Sequence, residues 1–490
     1  MSALRARVQR NWVGISILFL AYAQGVFKES LWSDDYATLV NREAMADLQM
    51  SDGRLLGALI IPQSFRLIGD PSNIWILRSL GLLGLIILYF QTIRQIKNDK
   101  SKEIALISVA IAFCTPGFQM YVHWATTWPY LWASIAGVFG FHCWKHDSKR
   151  KKFIGVFLLV IAIMTYPPAA LFYFALSLVS QIINEVPTNL IVKDLISGIK
   201  LLFTSGVTAA FITLITLDAL NIQRTERLRF INNSEILEKL FWFLTRPIVT
   251  GLRPFFIDSP EAYWAGLSIL PAAVIILLGI KTQARNLNEP FLNRFVIFSI
   301  SVCMPLIPIL ISPENQIEFR FILFYSWTIA VLSIYFLIIK LKQMIIIKGW
   351  KDDCIKACTW ILLSLFALAA AVNVNLRYDE LFGNSYKKKN TFLNKSIQSC
   401  VEQDTIRSVS LMAPAGDFPR KNNLGVYSLQ TDLYGPWVSI PNLRLVLNGK
   451  NLDVPITYYE ERTSLSGISD SRFKDCLIDL EEFRKEFKNK

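Results

Sequence analysis

Residues 12–40 read WVGISILFLAYAQGVFKESLWSDDYATLV. An apolar run of near membrane-spanning length ends at Phe27, and two adjacent carboxylates, Asp34 and Asp35, follow within eight residues. The run comes after Arg5, Arg7 and Arg10, as the core of a signal peptide would. The stretch AYAQGVF is a poor cleavage site, however, so a retained transmembrane helix is expected. The acidic pair then stands where an emerging chain meets lipid headgroups, and its meaning depends on which side of the membrane it faces.

The rest of the chain repeats the first signal. Its 490 residues are 53% hydrophobic and 13% aromatic, with a mean hydropathy of +0.38, and the apolar residues lie in blocks. A helix crossing a hydrocarbon core of about 30 Å needs roughly 20 residues. Candidate spans fall near 12–27, 74–93, 104–119, 126–144, 153–166, 168–184, 199–219, 263–280, 295–312, 321–339 and 355–373. Pro167 and Pro168 mark either a tight turn or a kink between the fifth and sixth. The expectation is an all-α polytopic membrane protein of about eleven spans, with a small C-terminal α/β domain.

Basic residues orient it. With the N-terminus cytoplasmic, the inner loops carry RQIKNDKSK, KHDSKRKK and KLKQMIIIKGWKDD, while the opposite loops hold mixed charge. The net charge of +13 is therefore mostly a topology signal, and nothing points to nucleic acid. Residues 1–373 form a transmembrane domain with outer loops at 28–73 and 220–262. Residues 374–490 have the composition of a soluble domain, with strand-like runs IRSVSLM and LRLVLNG and an amphipathic end, FKDCLIDLEEFRKEF. Cys400 and Cys476 are the two cysteines of that domain; they either pair, as an oxidising compartment permits, or stay as buried thiols.

In the first outer loop Ser33 is positioned to cap a helix carrying Asp34 and Asp35 in its first turn, with Tyr36, Leu39, Val40 and Leu48 on one face. A second piece restarts at Ser51, in SDGRLLGALIIP. The acidic pair has two readings: carboxylates that favour a helix start, or a catalytic base at the headgroup boundary. Asp52 and Arg54 follow in the same loop, and a guanidinium there suits phosphate. Charges within spans keep to the outer margins, as with Arg78 and Asp218. Trp124, Trp128, Tyr130 and Trp132 read first as an interfacial aromatic belt and second as a stacking platform for sugars. His123 and the His142/His146 pair fall at opposite ends of their spans, so any metal site would be carboxylate-based. No P-loop or glycine-rich nucleotide turn is present.

An acidic pair just after the first transmembrane helix, in a long outer loop of a polytopic chain, resembles the membrane-embedded glycosyltransferases of the GT-C fold, which use polyprenyl-phosphate sugars. The fuller pattern WSDDY…DGRLLGALI, with TYPPA near the fifth span and a C-terminal outer domain, is similar to the phage-borne, serotype-converting O-antigen glucosyltransferases. Pro167 stands where a polar residue is expected after the tyrosine of TYPPA, so no role is carried to that stretch. The resemblance implies an inverting transfer of glucose from undecaprenyl-phosphate glucose to a lipid-linked O-antigen unit, at the periplasmic face of a bacterial inner membrane. It implies Asp34 as base, with Asp35 orienting the acceptor or balancing Arg54, and no obligatory metal or other cofactor. An accessory flippase and a donor-synthesising glucosyltransferase would be its partners. Arg54, Arg320, Arg246 and Arg253 are the cations available to the donor phosphate, and 224–229, RTERLR, is either a solvated face or a further phosphate contact. An O-antigen polymerase or ligase is the alternative, and a lipid-linked sugar transporter or flippase the next.

An odd span count with an inner N-terminus puts residue 490 in the periplasm. A C-terminal alkaline phosphatase fusion is then expected to be active, and a cytoplasm-dependent reporter at the same position silent. The reverse pattern would remove the outer placement of the C-terminal domain.

Overall fold

The computed structural model describes residues 2–28, 30–98, 101–225, 228–229, 231–254, 262–313, 315, 319–347, 352–379, 383–403, 408–412, 436–450, 452–459 and 476–480. Part of RTERLR, most of the residues before Arg320 in ENQIEFRF, and the end of the amphipathic tail lie outside them. The described chain is mostly helical. It begins with α1 (Ser2–Phe27), the short helices α2 (Ser33–Val40), α3 (Arg42–Ser51) and α4 (Leu55–Ile68), and α5 (Ile74–Gln95). Then come α6 (Lys102–Ala112), α7 (Pro116–His123), α8 (Trp128–Trp144), α9 (Lys149–Thr165), α10 (Pro167–Ala170), α11 (Phe172–Ile183) and α12 (Thr188–Ala219). The 220–262 region contributes α13 (Ile236–Thr245) and α14 (Pro247–Gly251). After it run α15 (Ala262–Asn286), α16 (Phe291–Cys303), α17 (Ile307–Ile311), α18 (Phe319–Ile347) and α19 (Asp352–Tyr378).

Among the described residues five helices are long and apolar enough to cross a membrane: α5, α12, α16 continued by α17, α18 and α19. The pair α6–α7 makes a sixth if taken as one broken span. The surface of α12 is compatible with a lipid environment. Phe203, Val207, Phe211 and Ile215 recur every fourth residue and are 72%, 56%, 65% and 52% exposed, a stripe too apolar for water. Its other face, with Leu201, Ser205, Ala209 and Thr213, is buried in the bundle.

Two breaks in the helices position the site. Between α6 and α7 the axis turns by 61°. Pro116 opens α7 at a position where its missing N–H costs nothing, and the Gln119 side chain donates to the Cys114 carbonyl at 2.9 Å. Between α9 and α10 the proline pair restarts a helix after an extended Tyr166, at φ −162° and ψ 104°. The 153–184 region is thus α9, then a break at Tyr166, then the short α10 and α11.

In the first loop the structure corrects three expectations. The α2 helix begins at Ser33, with Trp32 in the capping position. The closing bond there comes from Asp35, whose carboxylate accepts from the Trp32 N–H at 3.0 Å. Leu48 belongs to α3 and is exposed, because a break at Asn41 takes it off the face shared by Tyr36, Leu39 and Val40. Helix α4 restarts at Leu55 rather than Ser51, so Asp52, Gly53 and Arg54 form the turn. Gly53 takes φ +76°, and a Cβ there would meet Leu228 Cδ2 at 2.7 Å. The 220–262 loop is therefore seated on this turn, and the Thr225 hydroxyl donates to Asp52 Oδ1 at 2.9 Å.

The C-terminal residues have a core of their own. Strands β1 (Val409–Met412), β2 (Ile456–Tyr459) and β3 (Cys476–Asp479) form a parallel sheet in the order β2-β1-β3. Helices α20 (Asn384–Gln403) and α21 (Pro436–Gly449) supply Leu393, Ile397, Leu443 and Leu447 to that core. Parallel strands need crossovers, which is the work such helices do. IRSVSLM is a strand as expected over its second half. LRLVLNG is instead the end of α21, because Leu443, Val446 and Leu447 are buried at helical spacing. In the amphipathic end, Cys476–Asp479 is strand. Cys400 and Cys476 are disulfide-bonded, joining α20 to β3.

Gly53 and Gly69 both hold positive φ, but nothing lies within 4 Å of a Cβ at Gly69. Gly53→Ala is expected to destabilise the solubilised protein by about 1–3 kcal/mol from backbone strain, plus the displacement of Leu228, and Gly69→Ala by the strain alone. Thermal unfolding of the two variants checks this; equal losses would show that the 220–262 loop does not bear on the turn.

Candidate functional site

Asp34 and Asp35 are neighbours on α2 with different surroundings. Asp35 is fully buried. Besides the Trp32 N–H, its carboxylate accepts from the Thr126 N–H at 2.9 Å and the Ala125 N–H at 3.4 Å. These two donors lie just beyond α7, so the break at Pro116 delivers them. Burial pushes the Asp35 carboxyl up from 3.8 to about 7, against the opposing pull of Arg78 and of the Trp32 and Thr126 N–H groups. A carboxyl poised near neutrality is suited to proton transfer, but both oxygens of Asp35 are turned into the protein. Asp34 is half-buried. Its backbone carbonyl accepts from the Thr38 hydroxyl at 2.5 Å, an ordinary helix contact, and its charge acts on both Asp35 and the Tyr130 hydroxyl.

Arg78 holds this arrangement from below. Its guanidinium is fully buried and donates to the carbonyls of Gly25 at 3.1 Å and Lys28 at 2.9 Å, and to the Ser30 carbonyl and hydroxyl. It therefore satisfies the end of α1 and the linker into α2, groups that would otherwise be orphaned. Tyr378, at the end of α19, donates to the Lys28 carbonyl at 3.1 Å and shares a 2.7 Å hydrogen bond with Ser30. Asp379 pairs with Lys28.

The remaining sequence candidates divide. Arg54 is buried, 3.4 Å from Asp52 Oδ2, with its guanidinium over the Tyr166 ring at 5.0 Å. Tyr166 stacks on Tyr130 at 3.8 Å, and Tyr121 meets both edge-on. Arg320 is also buried, with its guanidinium 5.2 Å from the Trp124 ring, and its carbonyl accepts from the Tyr121 hydroxyl at 3.2 Å. The charges of Arg54, Arg320, Asp34 and Asp52 all act on the Tyr130 hydroxyl. Four of the expected residues thus converge on a three-tyrosine cluster. Arg246 is exposed at the end of α13 and Arg253 half-buried after α14; neither lines the adjoining cavity.

That cavity, of about 370 Å³, is lined by Asp52, Arg54 and Arg229 at its polar end, and otherwise by apolar and small residues such as Ile163, Gly206, Ala209 and Ile309. Pro167 and Pro168 form part of its wall. The TYPPA stretch, given no role from the sequence, therefore supplies both the ring under Arg54 and a wall of the cavity. The aromatic belt needs a correction too. Trp124 and Tyr130 are 2% exposed, inside the protein rather than at its lipid surface, while Trp128 and Trp132 are half-buried and donate to Ser64 and to the Leu80 carbonyl. Among the described residues no three His, Cys, Asp or Glu side chains gather as a metal site would require. No family model, curated protein or solved structure matches the chain.

The raised Asp35 carboxyl has a sign that can be tested. The folded state holds its proton up to about pH 7, while an unfolded aspartate releases it near 3.8. Its contribution is fully present below pH 3.8 and is lost as pH rises to about 7. Asp35→Asn is expected to flatten this part of the stability profile. It should also cost about 1–3 kcal/mol at all pH values, since an amide leaves one buried N–H without an acceptor. Unfolding midpoints between pH 4 and 8 check this; an unchanged slope in the variant would remove Asp35 as the titrating group.

Proposed function

We propose that the protein is an inverting glycosyltransferase of the inner membrane, moving glucose from undecaprenyl-phosphate glucose to an O-antigen unit at the periplasmic face. In this reading the chain crosses the membrane about eleven times, its shorter apolar helices included. The carrying observation is that the charges of a half-buried carboxylate, Asp34, and of two buried guanidiniums, Arg54 and Arg320, all act on the Tyr130 hydroxyl, while Arg54 also lines an apolar cavity. The acceptor hydroxyl attacks the anomeric carbon while its proton passes to Asp34. The bond from that carbon to the donor phosphate breaks, and its electron pair leaves on the phosphate. Arg54 and Arg320 balance the charge that develops there, and the small residues of α12 leave a slot for the first units of the prenyl chain. Asp35 holds the helix that presents Asp34. A single displacement converts a β-linked donor into an α-linked product.

The test is glucosylation by purified protein in lipid. Asp34→Asn is expected to lower turnover by a factor on the order of 10² to 10⁴, with folding unchanged. Near wild-type turnover would overturn the assignment of the base. Arg320→Ala should raise the donor concentration needed for half-saturation, and Arg320→Lys should restore little, because an ammonium cannot reproduce the planar fork. In cells, a gain of one hexose per repeat unit in the lipopolysaccharide mass supports transfer. A changed chain-length distribution with no mass gain would favour the polymerase reading.

A further inference from the structure

At the other end of the bundle lies a larger cavity, of about 1270 Å³, to which the proposed reaction assigns no role. Three helices fix its distance from the acidic pair. Helix α5 runs from Arg78, beside Asp35, to Arg94 in the cavity wall; α8 runs from Tyr130 to His142; α12 runs from Thr213 to Ser197. At about 1.5 Å per residue each path is roughly 18–24 Å long. Since α5 and α12 are membrane-crossing helices, the cavity sits at the opposite interface.

Its lining is unbalanced in charge. Arg94, Lys97, Lys145, Lys152, Lys193 and Lys200 face two carboxylates, Asp147 and Asp194. Asp194 is already engaged, accepting from Lys145 at 2.6 Å and from the Gln181 amide at 2.5 Å. A topology signal needs basic residues in loops, but not a hollow into which six of them turn from four different elements. The cavity also has apolar walls from Val138, Phe141 and Leu176, and its rim includes Leu190 and Ile196, which are 48% and 47% exposed. Cations at a mouth with apolar walls and a lipid-facing rim match a headgroup joined to acyl chains.

We propose that this cleft binds an anionic phospholipid carrying more than one phosphate, such as a diphosphatidylglycerol. The proposal is independent of the glycosyltransferase reading. Six cations spread across the cleft exceed what one phosphate can engage, and a soluble anion would leave the apolar walls without a partner. Arg94, Lys193 and Lys200 are exposed, so they can be changed with little effect on packing.

The experiment is native mass spectrometry of the full-length protein released from vesicles of phosphatidylcholine mixed with diphosphatidylglycerol. Wild type is expected to retain the diphosphatidylglycerol selectively. The Arg94→Gln/Lys193→Gln/Lys200→Gln variant should lose about fivefold in retention per charge removed. Lys340→Gln/Lys342→Gln, which removes charge from α18 outside the cleft, should retain the lipid as wild type does. Equal losses per charge in the two variants would mean general surface attraction and overturn the site. Displacement of the lipid by inorganic pyrophosphate would mean a soluble anion and overturn the lipid assignment. Thermal unfolding checks both variants, and Lys193→Gln alone replaces the triple variant if that does not fold.

Discussion

The site depends on one buried charge balance. Asp35 is fully buried beside the equally buried Arg78, and an isolated charge in either place would cost several kcal/mol. The pair is tolerable because both groups are extensively hydrogen-bonded, Asp35 by three backbone N–H groups and Arg78 by the linker from α1 to α2. Those bonds join four chain segments: the end of α1, the start of α2, the margin of α5 and the turn after α7. Removing Asp35 frees the bonds to the start of α2 and the turn after α7, and removing Arg78 frees those to the end of α1 and its linker.

From this balance the inequality of the two carboxylates follows. They are adjacent in sequence and share a helix, yet one is held inside by backbone donors and the other is half-buried, with its charge acting on Tyr130. The helix-start reading fits Asp35, whose carboxylate closes the start of α2, and the proposed catalytic reading is assigned to Asp34. A capping carboxylate at Asp35 holds α2 in place, and a held α2 presents Asp34 in one orientation.

Asp52 and Arg54 repeat the logic on a smaller scale. Gly53 supplies the left-handed turn, Asp52 holds the 220–262 loop through Thr225, and Arg54 is left over the Tyr166 ring. The 28–73 and 220–262 loops meet here, at the lining of the apolar cavity. The C-terminal residues also reach this region, since α21 packs against α2.

The sequence by itself pointed to a mostly helical chain with apolar helices able to cross a membrane, and drew attention to Asp34, Asp35, Asp52 and Arg54, because hydropathy, adjacent charges and a glycine turn are local signals. It also singled out Arg320 as a boundary cation and left Cys400 and Cys476 as either a pair or two buried thiols, a choice that the tertiary structure made in favour of the disulfide. The tertiary structure alone decided which carboxylate is buried, since the donors from Ala125 and Thr126 lie some ninety residues away from Asp35. It likewise decided that Tyr130 and Tyr166 stack under Arg54, and that Arg246 and Arg253 stand apart from the cavity. LRLVLNG became helix because α21 has a sheet and a neighbouring helix to bury Leu443 and Leu447 against, a choice that a short apolar run cannot express on its own. Periodicity reports which face is buried. Which partner covers that face depends on where the breaks at Pro116 and Tyr166 send the chain, and no local pattern carries that information.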